Sequence, residues 1–165
     1  MRKTTAALIT AATTALATGA GLATASASPA APASSGTEHF YLMTTSGTSN
    51  RSSLIAAGVF TAAGVDISTS ATTDTVHLPG GTFKIHHPGD NGNPTVNPST
   101  CLFTLTVTDA FSVGGGTGKY KGLTGSGKAV VSIVAILARS HGHCSDNANP
   151  VAWHQTITAT GHVHL

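Results

Sequence analysis

Apolar and polar residues alternate with a period of two along much of the chain. Residues 102–113 show this pattern most clearly, because Thr104, Thr106 and Thr108 alternate with large apolar side chains. One apolar face and one polar face are typical of a half-buried β-strand. The apolar face of this stretch consists of Phe103, Leu105, Val107, Phe111 and Val113.

Seven stretches rich in Thr, Val, Ile and Phe, separated by turn residues, are predicted to be strands. The last stretch also alternates, with Trp153 and Ile157 on one face and His162 and His164 on the other. Residues 128–138 are apolar on both faces, which indicates a strand covered on both sides or a contact between subunits. The number and length of the strands favour a small antiparallel eight-stranded β-barrel of the up-and-down type over a sandwich. The predicted strands are 39–45, 54–68 (one bent strand or two), 73–78, 82–87, 102–113, 128–138 and 153–165.

The first 27 residues have the three zones of a secretory signal peptide. Arg2 and Lys3 come first, a weakly apolar stretch follows, and small residues end it at Ala27. The stretch has too few strongly apolar residues for a membrane span. We therefore expect a secreted, extracellular protein with a flexible Ala/Pro/Ser leader at 28–37 and a barrel domain at 38–165.

Charged residues make up only 8% of the chain, and the formal net charge is +2. This balance excludes a nucleic-acid binder that relies on a basic surface. The hydrophobic content of 40% is typical of a globular protein rather than a disordered one. Loss of Arg2 and Lys3 with the signal peptide would leave a mature chain without net charge, so any pH sensitivity near neutrality would depend on its histidines.

The two cysteines, Cys101 and Cys144, test the predicted strand order. If 102–113 and 128–138 form an antiparallel hairpin in which Val113 pairs near Gly127, Phe103 lies opposite residue 137. Cys101 then lies at the end of the hairpin from which the chain continues to Cys144. In an exported protein the pair should be oxidised, and the closed loop should add roughly 4 kcal/mol to stability.

A glycine-rich run joins the two predicted hairpin strands. Gly115-Gly116-Thr117-Gly118, followed by Tyr120, Gly122, Gly125 and Gly127, resembles the connector of the allene oxide cyclase and dirigent barrel-like superfamily. Segments 58–66 and 78–83 are similar to exported bacterial members of this group. The resemblance implies an eight-stranded barrel with an apolar cavity, often assembled as a homotrimer. Members include a fatty-acid-epoxide cyclase and proteins that guide phenoxy-radical coupling, but their catalytic motifs do not match residues of this chain.

Two polar residues are candidate catalytic or ligand-contacting groups. Asp109 lies on the apolar face between Val107 and Phe111, where an ionised carboxylate is costly unless it is paired. The alternatives for Asp109 are a position at the barrel rim or a hydrogen bond to backbone or to the Tyr120 hydroxyl. Tyr120 is either part of a lid over the cavity or a packed side chain in a structural crossover. Gln155 and Arg139 are further polar residues, which the hairpin count places several residue pairs away from Asp109.

Two other motifs resemble ligand sites. Residues 122–128 nearly match a phosphate-binding loop, but Ala129 replaces the Ser/Thr of that motif and a strand follows where a helix is needed, so we predict no nucleotide and no cofactor. Two His-x-His pairs could bind zinc or copper through neutral imidazoles. These pairs are His141 with His143 and His162 with His164.

The leading functional hypothesis is a barrel that holds a small apolar molecule in its cavity. A cyclase-like isomerase activity is a lesser version, in which Asp109 or Tyr120 touches the ligand. The alternatives are a noncatalytic extracellular structural or interaction protein with a solid core, and an extracellular zinc or copper binder. The predicted cavity lining is Phe103, Leu105, Val107, Phe111, Ile133, Leu137, Trp153 and Ile157.

Overall fold

The computed structural model describes residues 34–89 and 92–165, and the predicted signal peptide and residues 28–33 of the predicted leader lie outside them. Eleven strands and one short 3₁₀ helix at Gly118–Tyr120 form in the described part. Runs of Thr, Val, Ile and Phe supply most strands, as their β-propensity predicts. The strands are β1 (Ser35–Thr44), β2 (Arg51–Ala57), β3 (Thr61–Ser70), β4 (Thr73–Leu78), β5 (Gly81–His86), β6 (Thr95–Asn97), β7 (Leu102–Gly114), β8 (Thr124–Ile136), β9 (Ala138–Ser140), β10 (His143–Ser145) and β11 (Ala152–His164).

Eight of these strands close into an antiparallel β-barrel, which confirms the predicted fold class. The order around the barrel is β1, β2, β3, β4, β5, β7, β8, β11 and back to β1. Closure comes from β5 and β7, which pair from Lys84↔Gly114 to His86↔Ser112. Strand β6 pairs with the first part of β7, and β9 and β10 form a separate small hairpin.

The structure corrects the predicted start of the barrel and decides whether 54–68 is one bent strand or two. Strand β1 begins at Ser35 and pairs with β11 from Ser35↔His164 onward, so residues 35–37 belong to the barrel rather than to the leader. Their small polar side chains carry no apolar alternation, but the backbone pairing with β11 satisfies their hydrogen bonds. The predicted stretch 54–68 is two strands, β2 and β3, separated by a turn that begins at Gly58.

The hairpin of β7 and β8 forms as predicted, with its register displaced by two residues. Phe103 pairs with Ala135 and Val113 with Gly125, because β8 begins at Thr124, earlier than predicted. A displacement of two residues leaves every side chain on its predicted face. The disulfide between Cys101 and Cys144 is present, with the two Cα atoms 5.3 Å apart.

One end of the barrel interior is filled with side chains and is called the closed end below. It lies where β2 and β4 finish and where β3, β5 and β8 begin. The Tyr120 ring centroid is 5.2 Å from that of Phe60 and 5.8 Å from that of Phe83, and Leu123 is only 1% exposed. Such edge-to-face and tilted ring packing is the usual arrangement of buried aromatic clusters. The interior is therefore solid at this end.

The outer face of β8 carries exposed valines among polar residues such as Lys128 and Ser132. Val130 and Val134 are each 43% exposed, while their inward neighbours Val131 and Ile133 are buried. The expectation of a strand covered on both sides is therefore not met within one chain.

Candidate functional site: a cavity at the open end of the barrel

A cavity of about 190 Å³ occupies the barrel interior at the end opposite the closed end. We call this the open end. Each of the eight barrel strands supplies part of its wall, so closure of the sheet is what creates the space. Its apolar wall consists of Phe40, Leu42, Ile85, Phe111, Ala129, Val131, Ile157 and Ala159.

Only Phe111 and Ile157 of the eight predicted lining residues border this cavity. Leu105 and Val107 occupy inward positions on β7, but Gly92 lies against them. A Cβ atom added to Gly92 would come within 2.3 Å of Val107 and 2.4 Å of Leu105. Gly92 thus covers this part of β7.

The other four predicted lining residues also lie away from the cavity wall. Trp153 stacks on Phe103 with ring centroids 6.4 Å apart, and a Cβ added to Gly47 would come within 2.9 Å of the Trp153 ring. Ile133 is buried on β8, and Leu137 follows that strand. Strands β7, β8 and β11 are 13 residues long and extend beyond the shorter strands, where loops cover them. Strand alternation predicted the inward face but not this cover.

The structure separates the two polar candidates. Asp109 lines the cavity and is partly buried. Tyr120 lies at the closed end, is 4% exposed, and its hydroxyl donates to the carbonyl of Pro79 at 3.4 Å rather than to Asp109. This arrangement supports the interpretation of the connector as a structural crossover with a packed tyrosine.

The glycines of the connector explain how Tyr120 reaches the closed end. Gly118 has φ +56°, and a Cβ there would come within 2.0 Å of the Gly80 carbonyl oxygen. A Cβ at Gly116 would come within 1.7 Å of the Tyr120 carbonyl oxygen. Both positions therefore need glycine for close backbone approach.

Gln155 lines the cavity, whereas Arg139 does not. Gln155 pairs with Ile133, which is four residues along β8 from Ala129, the partner of Asp109. The expected separation is therefore present, although both side chains line the same cavity. The cavity extends along the barrel far enough to reach both side chains. Arg139 is exposed on β9, and its guanidinium donates to the carbonyls of Ser99 and Gly142, so it takes no part in the cavity.

The main polar feature of the cavity is a cluster that the sequence did not predict. Asp66 on β3 and Asp74 on β4 both line the cavity and are only 4% and 8% exposed. The Ser68 hydroxyl donates to Asp74 Oδ1 at 2.6 Å, and His87 Nε2 lies 3.2 Å from Asp74 Oδ2. Both oxygens of Asp74 therefore have partners.

Asp66, in contrast to Asp74, has a carboxylate oxygen without a partner in the described part of the chain. Its Oδ1 is buried and has no hydrogen-bond partner among the described residues. Burial, together with the smaller effect of repulsion from the nearby Asp74 carboxylate, raises the pKa of Asp66 to about 7. An unpartnered buried carboxyl is costly, so Asp66 is the exceptional group of the site.

Serine, aspartate and histidine meet here, but not in the order that activates a nucleophile. In the hydrolytic triad, histidine lies between the serine and the aspartate and accepts the hydroxyl proton. Here Asp74 lies between Ser68 and His87 and contacts both. The arrangement therefore holds the Asp74 carboxylate in place and does not activate Ser68 for attack.

One of these residues carried a signal in the sequence. Asp74 shares a strand face with Val76 and Leu78, both buried, which is the same period-two pattern that identified Asp109. Asp66 lies between Gly64 and Ser68 on its face of β3, where no apolar alternation marks the inward side. Only the closed barrel shows that this face points inward.

The predicted metal-binding histidines lie outside the cavity. His141, His143, His162 and His164 are all exposed. His141 has φ 51° and lies in the turn between β9 and β10, so the extended geometry assumed for the first pair is not present. Within residues 34–89 and 92–165, no three His, Cys, Asp or Glu side chains group in a way suited to a metal ion.

Comparisons of the chain with protein-family models, with curated proteins and with solved structures find no match. Along the described part of the chain, no helix has the length and apolar character needed to span a membrane.

Proposed function

We propose that the barrel binds a small, largely apolar molecule in the open-end cavity. The observation that carries this proposal is the cavity of about 190 Å³ beside a tightly packed closed end. Protein interiors are normally packed as densely as organic crystals, with few voids larger than a water molecule. The lining combines apolar side chains with polar and charged ones, the two components of a small-molecule site.

The volume limits the size of the ligand. An engineered apolar cavity of about 150 Å³ accommodates benzene, so this cavity suits a molecule with one ring or a short branched chain. The aromatic cluster around Tyr120 and Phe83 blocks extension toward the closed end. A long-chain lipid is therefore disfavoured as the occupant.

The other functional hypotheses have less support. The hypothesis of a noncatalytic interaction protein with a solid core agrees with the packing of the closed end but not with the cavity at the open end. A cyclase-like step would need an acid or base beside the ligand, and Asp66 and Asp109 meet that requirement whereas Tyr120 does not. The exposed histidine pairs lack a third ligand of the usual type among the described residues.

We also infer that the chain is exported, from the signal-like residues 1–27 and the disulfide, a bond typical of oxidising compartments. Expression of the full chain in a secreting bacterial host should release protein whose N-terminal sequence begins at Ser28. Retention of residues 1–27 in the released protein would contradict this inference. Membership of the allene oxide cyclase and dirigent superfamily, and its homotrimer, stay predictions, and light scattering of the purified protein checks the trimer.

Toluene is a suitable probe of the proposed binding. We expect toluene to raise the melting temperature of the wild-type protein and to be retained in native mass spectra. Ala129→Leu adds bulk at the cavity wall and should abolish both effects. Val134→Leu, on the outer face of the same strand, is the matched control and should behave as wild type. Equal responses of the two variants, or no response of the wild type, would contradict the proposal.

A further inference from the structure

Asp66 places a buried hydrogen-bond acceptor at the cavity without a partner. Asp66 is only 4% exposed, and its Oδ1 receives no hydrogen bond from the described residues. A group this buried is ordinarily satisfied by protein, water or a ligand. The Ser68 hydroxyl and the His87 imidazole both serve Asp74. Ser52 pairs with Asp66 across β2 and β3 but makes no hydrogen bond to Oδ1.

The charges around the cavity exclude some classes of ligand. Among the described residues that line it, the titratable side chains are Asp66 on β3, Asp74 on β4, His87 after β5 and Asp109 on β7; β1, β2, β8 and β11 contribute neutral side chains. Asp74 is paired with His87, which leaves Asp66 and Asp109 without a cationic partner among these residues. A carboxylate or phosphate head group would meet repulsion, while a cation would be attracted.

We propose that the cavity recognises a primary amine, with the ammonium group bound by Asp66 and the apolar body packed against Phe111 and Ile157. This inference rests on the proposed function, because it names the class of ligand for the same cavity. An ammonium group offers three donors, and one of them can satisfy the unpartnered Asp66 Oδ1. Hydrogen bonds between charged partners are also the stronger ones.

The proposal predicts a particular pH dependence. Burial and the Asp74 carboxylate raise the pKa of Asp66 to about 7, so Asp66 is mostly neutral at pH 5.5 and mostly ionised at pH 8. An aliphatic amine stays protonated across that range. Amine affinity should therefore rise between pH 5.5 and pH 8, while the affinity of a neutral analogue stays constant.

Four probes of similar size test the proposal by isothermal titration calorimetry of the wild-type protein: benzylamine, benzyl alcohol, toluene and benzoate. At pH 8 we expect benzylamine to bind at least about 10-fold more tightly than toluene, and benzoate to bind most weakly. Asp66→Asn should lose about 10-fold in benzylamine affinity and leave toluene affinity within about twofold of wild type. Asp109→Asn removes the other unpaired acid of the cavity and should weaken benzylamine less than Asp66→Asn does, and Asp146→Asn, an exposed acid in a loop, is the matched control.

The outcomes separate the two proposals. If toluene binds but benzylamine binds no more tightly, or if its affinity does not rise with pH, the amine inference is wrong and the apolar binding site stands. If none of the four probes binds, both proposals are wrong. If Asp146→Asn weakens benzylamine as much as Asp66→Asn does, the attraction is a general charge effect and the assignment to Asp66 is overturned.

Discussion

Each end of the barrel buries a carboxyl group, and the two groups have different surroundings. At the closed end, Glu38 is fully buried, and its Oε2 accepts a hydrogen bond of 3.0 Å from the backbone N–H of Phe60. At the open end, Asp66 is almost as buried. Its Oδ1 and the Glu38 Oε1 both lack a hydrogen-bond partner among the described residues, but Asp66 borders the cavity and Glu38 does not.

The role of a buried acid in this protein depends on its position in the barrel. Burial raises the pKa of Glu38, backbone hydrogen bonds from the turn after β2 oppose that rise, and side chains fill the space around it. The Glu38 carboxylate stabilises the turn at Val59 and Phe60 through these hydrogen bonds. Asp66 stabilises no turn in this way, and the cavity that it borders leaves room for a ligand. The closed end therefore stabilises the fold, and the open end is available for binding.

The largest expected effect is at the closed end. Phe83→Ala removes a fully buried ring that packs on Phe40, Phe60 and Tyr120. We expect the free energy of unfolding to fall by about 3–5 kcal/mol, measured by urea denaturation. Toluene affinity should stay within about twofold of wild type, since Phe83 does not line the cavity. A small loss of stability would contradict a solid closed end.

Removal of the disulfide should destabilise the strands next to the bridge rather than the closed end. Replacing Cys101 and Cys144 together by alanine opens a loop with a sequence separation of 43 and should cost roughly 2–4 kcal/mol. Hydrogen exchange should increase first in β6, β9 and β10, which lie next to the bridge. Faster exchange at β4 and β5 instead would show that the two regions are not independent.

Asp66→Asn should stabilise the protein in a pH-dependent way. Because the folded pKa of Asp66 is raised from 3.8 to about 7, the wild type loses stability as pH rises through that interval and stays at the lower level above it. The variant lacks this loss, so it should exceed wild type by roughly 2–4 kcal/mol at pH 8 and by little at pH 4. Denaturation at both pH values checks this, and an advantage at pH 4 equal to that at pH 8 would contradict a buried, unpaired carboxylate.

The smallest effect is expected at Tyr120. Its hydroxyl makes a long hydrogen bond of 3.4 Å to Pro79, while the ring provides most of its packing. Tyr120→Phe should therefore change stability by less than about 1 kcal/mol and leave ligand binding unchanged. Loss of toluene or benzylamine binding in this variant would restore Tyr120 as a cavity residue.

The sequence predicted the barrel because period-two alternation is a local property of each strand. Residues 102–113 and 153–165 form the long strands β7 and β11 with the predicted faces inward, and the cysteine pair followed from the hairpin. The cavity wall was less predictable because it depends on which inward residues a loop covers. Gly92 and Gly47 bring two loops over Val107 and Trp153, and nothing in the local pattern indicates such contacts. Asp66 was missed because its strand face lacks apolar neighbours.

The most direct test of a ligand-binding open end is a crystal structure of the protein soaked with bromobenzene, with the bromine located by anomalous scattering. The account predicts one bromine site inside the barrel, against Phe111 and Ile157, in the wild type and its loss in Ala129→Leu. A wild-type crystal with no bromine in the barrel, or with bromine only on the outer face near Val130 and Val134, would contradict the account.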